Sequence, residues 1–320
     1  MILIVLASQV LLPVSLLAWL AFAPAAGWLA WSLQLAAIVA MLLGMTTAML
    51  WAMPPYWTPY LYWALLCFIV VWQLLAGLPD SSQWWAAGTV HSLFLCVLFL
   101  LGAQGAYLTY QALAGRQLPE TAAVDIDFPF PSGNYLVAHG GSTLTVNAHL
   151  ETLNTDVERY QDYRGQSRAL DIFRISQAGF TVWGLRPREP QRYTSFGTPL
   201  LAPCAGRVAR VLDGVPDNQV PDMNREQMAG NFVAIDCGDF YLIMAHFRQG
   251  SIQVAEGQMV GTGDLLGELG NSGNSSEPHL HIHAQRGLPE DAPLSGEPLA
   301  LTINGRFPVR NERLHVPAQD

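Results

Sequence analysis

Lysine is missing from this 320-residue chain, and all sixteen basic residues are arginines. The first of them is Arg116, and the only acidic residue before it is Asp80. A stretch of that length with one formal charge, rich in Leu, Ala and Trp, excludes an ordinary soluble domain there. Of the four cysteines only Cys204 and Cys237 lie after residue 115, too few there for a disulfide scaffold or a cysteine-based zinc site. The net charge of −9 arises almost wholly after residue 115. An acidic region without lysine lacks the basic face that phosphate contacts need, which excludes nucleic acid as a partner.

The charge-poor part contains four apolar runs, over residues 2–23, 28–53, 60–76 and 85–107. Each approaches the ~17–25 residues needed to cross a hydrocarbon core as a helix. Pro24-Ala25-Ala26-Gly27, Pro54-Pro55 and Gly77-Leu78-Pro79-Asp80 suit tight connections, and Tyr56, Trp57, Tyr60, Trp84 and Trp85 suit interfacial aromatic belts. The first run lacks a basic n-region and is followed at once by more apolar sequence, so it reads as a span, not a cleaved signal peptide. The expectation is a four-span transmembrane α-helical domain over residues 1–114, embedded in a lipid bilayer. The short loops carry no Lys or Arg, so loop charge leaves its sidedness open; Arg116 alone leans toward a cytoplasmic C-terminal region. His91, Cys67 and Cys96 fall within spans and receive no role.

Residues 115–130 read as a polar, Pro-rich linker before a domain over 131–320. There, short apolar or alternating segments recur between Gly-rich turns: 135–138, 143–147, 169–173, 180–183, 199–203, 206–211, 231–235, 240–246 and 279–284. This pattern predicts a mainly-β domain of sandwich or barrel type. The polar segment 151–165 reads as helix or loop. Cys204 and Cys237 flank an apparent long hairpin, and either pair across it or stay as buried thiols.

The densest chemical signal is Glu277-Pro278-His279-Leu280-His281-Ile282-His283. Alternate strand residues share a face, so the three histidines project together. Imidazole is the commonest metal ligand and a proton shuttle near neutral pH; the bland alternative is three solvated surface histidines. Catalytic zinc sites use three protein ligands, and Asp171, His246, His279 and His281 supply the residue types.

These residues sit in motifs that resemble the M23 family of zinc metallopeptidases, the lysostaphin-like cell-wall endopeptidases. Gly197-Thr198-Pro199-Leu200-Leu201-Ala202-Pro203 with Gly206-Arg207-Val208 is similar to the family's "G-x-P-V-x-A-P-x-x-G-x-V", and Gly230-Asn231-Phe232-Val233 to its "G-N-x-V". Ala245-His246-Phe247 is similar to "A-H-L", Gly270-Asn271-Ser272-Gly273 to "G-x-S-G", and Pro278-His279-Leu280-His281 to "P-H-L-H". The resemblance covers roughly residues 131–312. It implies an M23-like barrel-sandwich domain holding Zn²⁺, with Asp171 and His281 as ligands and His246 and His279 as catalytic histidines.

One departure matters: the family's H-x-x-x-D has Ser167, not histidine, four residues before Asp171. His149 is the best replacement ligand, because the loop to Asp171 is long enough to fold back. Asn147-Ala148-His149 and Gln166-Ser167-Arg168-Ala169-Leu170-Asp171 are also similar to the "N-H-H … Q-R-Y-A-L-D" arrangement of some family branches. His283 is the reserve ligand and His139 a loop histidine. Against these readings, Asp171 could pair with Arg168 or Arg174, and His246 could be a hydrogen-bonded strand end. The 257–273 glycines lack a Gly-Lys-Ser/Thr ending and read as β-turns, not a phosphate loop. Residues 186–190 read as a solvated loop.

By resemblance, the expected function is a membrane-anchored zinc endopeptidase cutting peptidoglycan peptides, multi-pass in the cytoplasmic membrane with its C-terminal domain outside. The alternative is an inactive M23-like binding or regulatory module. A membrane protein partner held by the four spans is a further expectation. A transporter or sensor fits poorly, since the spans offer few polar groups to line a path.

Overall fold

In the computed structural model, which describes residues 2–25, 27–77 and 89–317, the chain divides into two compact units, Met1–Ala114 and Gly115–Asp320. Among its described residues the first contains four helices: α1 (Ile2–Phe22), α2 (Trp28–Ala48), α3 (Thr58–Ala76) and α4 (Thr89–Ala114). Each is long and apolar enough to cross a membrane. α2 stops short of residue 53 because Trp51 folds back and its indole N–H donates to the Met45 carbonyl at 3.1 Å, serving a helix end. Pro59 opens α3, where a missing N–H costs nothing. α4 runs on to Ala114, beyond residue 107. Asp80, Trp84, Trp85 and the expected start of the fourth span lie outside the described residues, as does the side chain of His91.

Small residues set the packing of this unit. A Cβ added to Gly44 would stand 2.6 Å from the Gly105 carbonyl oxygen, and one on Gly105 would collide with the backbone of Ala40 and Met41. Close backbone approach at small residues is the packing mode that associates helices in lipid. Gln73 adds neutral polar cross-links, donating to the Leu20 carbonyl and accepting from the Trp31 indole.

The second unit is mainly antiparallel β. In chain order its strands are β1 (Ala123–Ile126), β2 (Gly133–His139), β3 (Leu170–Ile175), β4 (Pro199–Leu201), β5 (Gly206–Leu212) and β6 (Asn231–Asp236). β7 (Tyr241–Phe247), β8 (Met259–Val260), β9 (Leu265–Glu268), β10 (Leu280–Arg286), β11 (Glu297–Ile303) and β12 (Arg313–Val316) follow. Among the described residues, ten strands form one sheet in the order β12-β2-β3-β10-β7-β6-β5-β8, with β11 beside β10 and β1 parallel to β11; β4 and β9 form a separate pair.

Alternation fixes which way each central strand faces. Leu170 and Ile172, Leu242 and Met244, and Leu280 and Ile282 enter one buried core with Val233, Ile235 and Phe247. Burying each such side chain contributes roughly 1.5–3 kcal/mol. A one-residue slip would turn them all outward, so the register is firmly specified. The intervening residues, Asp171, Ala245, His281 and His283 among them, are thereby committed to the opposite face.

Three local expectations are corrected. Residues 143–147 form turns, with the Val146 and Asn147 N–H groups both bonded to the Thr143 carbonyl instead of a strand ladder. Residues 180–183 make only a bridge from Val182 to Tyr193, because Phe180 is tied into a turn with Ser176. Inside the expected linker, Ala123–Ile126 pairs with β11, so the free connector is shorter than its composition suggests. Residues 148–168 form 3₁₀ turns, Ala148–Leu153 and Glu158–Arg168. Cys204 and Cys237 are joined as a disulfide across the β5–β6 hairpin.

Candidate metal centre

The site follows from strand register. His281 on β10 lies directly opposite Asp171 on β3 and, on its other side, Ala245 on β7. Cross-strand partners share a face, so Nδ1 of His281 meets Oδ1 of Asp171 at 3.0 Å. His149 arrives from the 148–153 turn, and its Nε2 lies 2.9 Å from Oδ2 of Asp171.

Asn147, 1% exposed, is what aims that turn. Its Oδ1 accepts from the His149 backbone N–H at 3.2 Å, and its Nδ2 donates to the Ala169 carbonyl, two residues before Asp171. One side chain thus clamps the turn that carries His149 to the strand that carries Asp171. Thr152 donates to the His149 carbonyl from the other end of the turn.

His246 reaches the site by a different device. Phe232 pairs with Ala245 and Asn231 with Phe247, which leaves His246 as the extra residue of a β-bulge, with φ +67°. Plain alternation would send it to the core face; the bulge re-aims it. Its ring then stands 5.7 Å from that of His281 and 4.9 Å from that of His279. Nδ1 of His246 lies 2.8 Å from the Ser272 carbonyl, which can only accept, so Nδ1 carries the proton and Nε2 is bare when the ring is neutral. His279 is held likewise, with Nδ1 donating to the Glu277 carbonyl at 2.7 Å and Nε2 3.6 Å from Asp171 Oδ1.

The electrostatics separate the two histidines. Burial keeps the His246 imidazole well below its usual pKa, helped by the positive charge that His279 and His281 can carry. Burial acts against charge on His279 too, but the Asp171 carboxylate and the hydrogen bonds outweigh it and raise its pKa. Burial alone would push the Asp171 pKa up; His149 and His279 overcome that and hold it well below the usual carboxylate range. A buried, ionised carboxylate is stable only with such partners.

The residues fit a zinc ion. His149, Asp171 and His281 each offer one donor atom, and these lie within 4.8 Å of one another. A tetrahedral ion with ligand distances near 2.0–2.1 Å places its ligands ~3.4 Å apart. The oxygens of Asp171 meet imidazoles, so neither Arg168 nor Arg174 takes it as an ion-pair partner.

The structure also places the histidines left over. Ser167 is fully buried and bonds to Thr152 and the Arg164 carbonyl, away from Asp171. His283 is outside the group around Asp171 and packs behind His281. His139 ends β2 instead of lying in a loop; its Nδ1 accepts from the Ala148 N–H and from Arg310, and burial pushes its pKa down to about 3.

Sequence reasoning gave no role to the residues that hold the histidines. Ser272, fully buried, donates to the Phe247 carbonyl while its own carbonyl receives His246 Nδ1–H. Asn231 donates to the carbonyls of Val215 and Phe247 and so braces the bulge. Their signal was present in the "G-N-x-V" and "G-x-S-G" motifs, which report turns of β structure as much as site support.

Residues 192–293 match the model of peptidase family M23. The matched segment lies within the C-terminal unit, which to that extent is similar to an M23 peptidase domain. Its sequence is similar to peptidoglycan DD-endopeptidase ShyA of Vibrio cholerae serotype O1, 32% identical over 115 residues, which is 36% of this chain and 25% of ShyA. The chain therefore spans about a quarter of that relative's length. Among solved structures it is similar to the catalytic domain of lysostaphin from Staphylococcus simulans (19% identity, 39% of this chain and 71% of that one, TM-score 0.26). It is also similar to the deep-sea M23 metalloprotease Pseudoalterin (15% identity, 60% and 99%, TM-score 0.34).

Proposed function

We propose that this chain is a membrane-anchored zinc endopeptidase that hydrolyses peptide bonds of peptidoglycan. The observation that carries the reading is the convergence of His149, Asp171 and His281 beside His246 and His279 in one M23 domain. Similarity to a peptidoglycan DD-endopeptidase supports the substrate class. The four apolar helices support anchoring in the cytoplasmic membrane, and the Cys204–Cys237 disulfide supports an oxidising compartment outside the cytoplasm.

His149, Asp171 and His281 would hold the ion. Zinc supplies a Lewis acid that polarises a carbonyl and lowers the pKa of water to about 7. The chain's own residues do the rest. His279, whose raised pKa follows from Asp171, is suited to hold a proton and place it on the leaving amine. His246, neutral with Nδ1–H fixed by Ser272, offers Nε2 to the same cleft, where it can orient water or take up a proton. Both line a cavity of about 200 Å³ with His149, Asp171 and His281.

The inactive-module alternative rested on Ser167. With His149 beside Asp171, the donor count no longer requires a histidine at that position. The deciding experiment incubates the full chain in detergent with cross-linked peptidoglycan, with and without a chelator, alongside His149→Ala. Cleavage that chelator abolishes, and that the variant lacks, is expected. A chain that stays metal-free in excess zinc and cleaves nothing returns the module reading.

A further inference from the structure

Beside the four histidines and Asp171, the polar side chains that line the metal cavity are Gln166, Asn274 and Ser276. They come from two separate segments. Gln166 stands near the end of the 158–168 turns, whereas Asn274 and Ser276 belong to the loop between β9 and β10. The chemistry above makes no use of any of them.

Gln166 is 8% exposed, yet its side-chain amide bonds to no described residue. Buried polar groups are almost always paired, with protein or with ordered water. Neither polar atom of this amide is sealed off, so both open onto the cavity that the residue lines. The backbone around it is fixed. The Gln166 carbonyl accepts from the Ala169 N–H, and the next side chain, Ser167, is buried against Thr152 and the Arg164 carbonyl. The turn is therefore pinned while the amide is left open. Asn274 repeats the arrangement. Its backbone N–H is bound to the Met228 carbonyl at 2.9 Å, and its half-buried amide, like the Ser276 hydroxyl, has no partner among the described residues.

The chemistry of these groups defines what they would take. A side-chain amide carries an NH₂ donor and a carbonyl acceptor, the complement of the C=O and N–H of a peptide group. The Asp171 oxygens are already engaged by His149, His279 and His281, so the free polar groups of the cavity are neutral. We propose that Gln166 and Asn274 bind the main chain of the substrate, holding the peptide groups that flank the scissile bond from two segments of the cleft. Recognition at the metal centre then reads uncharged peptide backbone. The proposal rests on the peptidase reading above and gives it a substrate-binding pair that neither ligates the ion nor carries a proton.

The test uses the full chain in detergent micelles with soluble cross-linked muropeptide dimers as the probe. Zinc affinity, kcat and KM are measured on zinc-loaded protein, and dimer affinity on chelator-treated protein by calorimetry. Gln166→Met keeps the length of the side chain and removes the amide; Asn274→Ala probes the second segment at a less buried position. Each should raise KM and weaken dimer binding about 2–10-fold, the loss of one neutral hydrogen bond, with kcat and zinc affinity held. A residue that only supports the fold would move zinc affinity instead, since the 158–168 turns lie between His149 and Asp171 in the chain. Unchanged KM and dimer affinity in the folded variants, or a parallel loss of zinc affinity, overturns the proposal and leaves the peptidase reading intact; either variant decides where the other does not fold. A parent chain that binds dimers through Gln166 and cleaves none overturns the peptidase reading and leaves the main-chain contacts. A parent that neither binds nor cleaves them overturns both.

Discussion

The two units bury polar groups in opposite ways. In the helical unit the buried polar side chains are Gln9, Gln34, Gln73 and Thr58 among the described residues, all neutral at any physiological pH. Gln9, Gln34 and Gln73 bond backbone carbonyls, which pairs amides that would be costly to bury alone. The β unit buries Asp171, His246, His281 and His283 instead. Charge and proton position are therefore variables in one unit and fixed in the other. The difference predicts that the helical unit can be altered without touching the titrating groups of the β unit, and each of four experiments can break or sharpen that separation.

The largest effect is expected from His281→Ala. It removes one of three donors and leaves Asp171 with a shorter set of partners. Zinc content should fall from one ion per chain to near zero, and cleavage should drop more than ~10³-fold, while the helical unit keeps its helix content by circular dichroism. A variant that retains a full equivalent of zinc would show that the donor set has been misassigned.

Much of this was legible in the residues. The four apolar runs, the mainly-β C-terminal unit and the alternation at His279 and His281 follow from periodicity and charge alone. Other features were not, and the reasons are physical. The bulge at His246 depends on pairing between β6 and β7, which are set by a whole-sheet register that no local pattern encodes. The 143–147 segment has strand-like alternation, yet Asn147 spends its side chain on the His149 turn. The contact of His283 with His281 was hidden because a strand spacing of 6–7 Å suggested only that it lies beyond His281, whereas Nδ1 of its ring comes within 3.2 Å of Nε2 of His281.

His246→Ala ranks second and separates holding the ion from using it. His246 is not in the donor group, so zinc should bind with unchanged stoichiometry. Removing a general acid or base typically costs about 10²–10⁴-fold in kcat. Loss of zinc together with activity would place His246 among the ligands and remove its proposed role in proton transfer.

Third is the pH dependence of stability in chelator-treated protein. Burial keeps His246, His281 and His283 below their usual pKa and pushes His139 down to about 3. A histidine neutral when folded and free to protonate when unfolded stabilises fully above the unfolded pKa near 6.5, and loses that contribution as pH falls below it. His279 runs the other way, since its raised pKa gives stability present below 6.5 and lost as pH rises, but it is one group against four. The melting temperature of the β unit should therefore fall between pH 7 and pH 5. The transition of the helical unit should stay in place. A β-unit transition that is flat or rises over this window would contradict the neutral burial of these rings.

The smallest effect is expected in the other unit, from Gln73→Leu. The substitution puts an apolar side chain of similar size in place of the amide, and leaves the Trp31 indole N–H and the Leu20 carbonyl without their cross-link. Interhelical hydrogen bonds in membranes average only about 0.6 kcal/mol and reach about 1.7, because the separated helices find other partners. The glycine-mediated approach of α2 and α4 is untouched, so the bundle should survive with a loss of about 1 kcal/mol, read by tryptophan fluorescence during detergent-induced unfolding. Zinc affinity and cleavage in micelles should be unchanged, since no donor or proton in the β unit depends on that amide. A Gln73→Leu chain that binds zinc less tightly would show that the neutral network and the titrating one communicate, and the separation of anchor from chemistry would have to be abandoned.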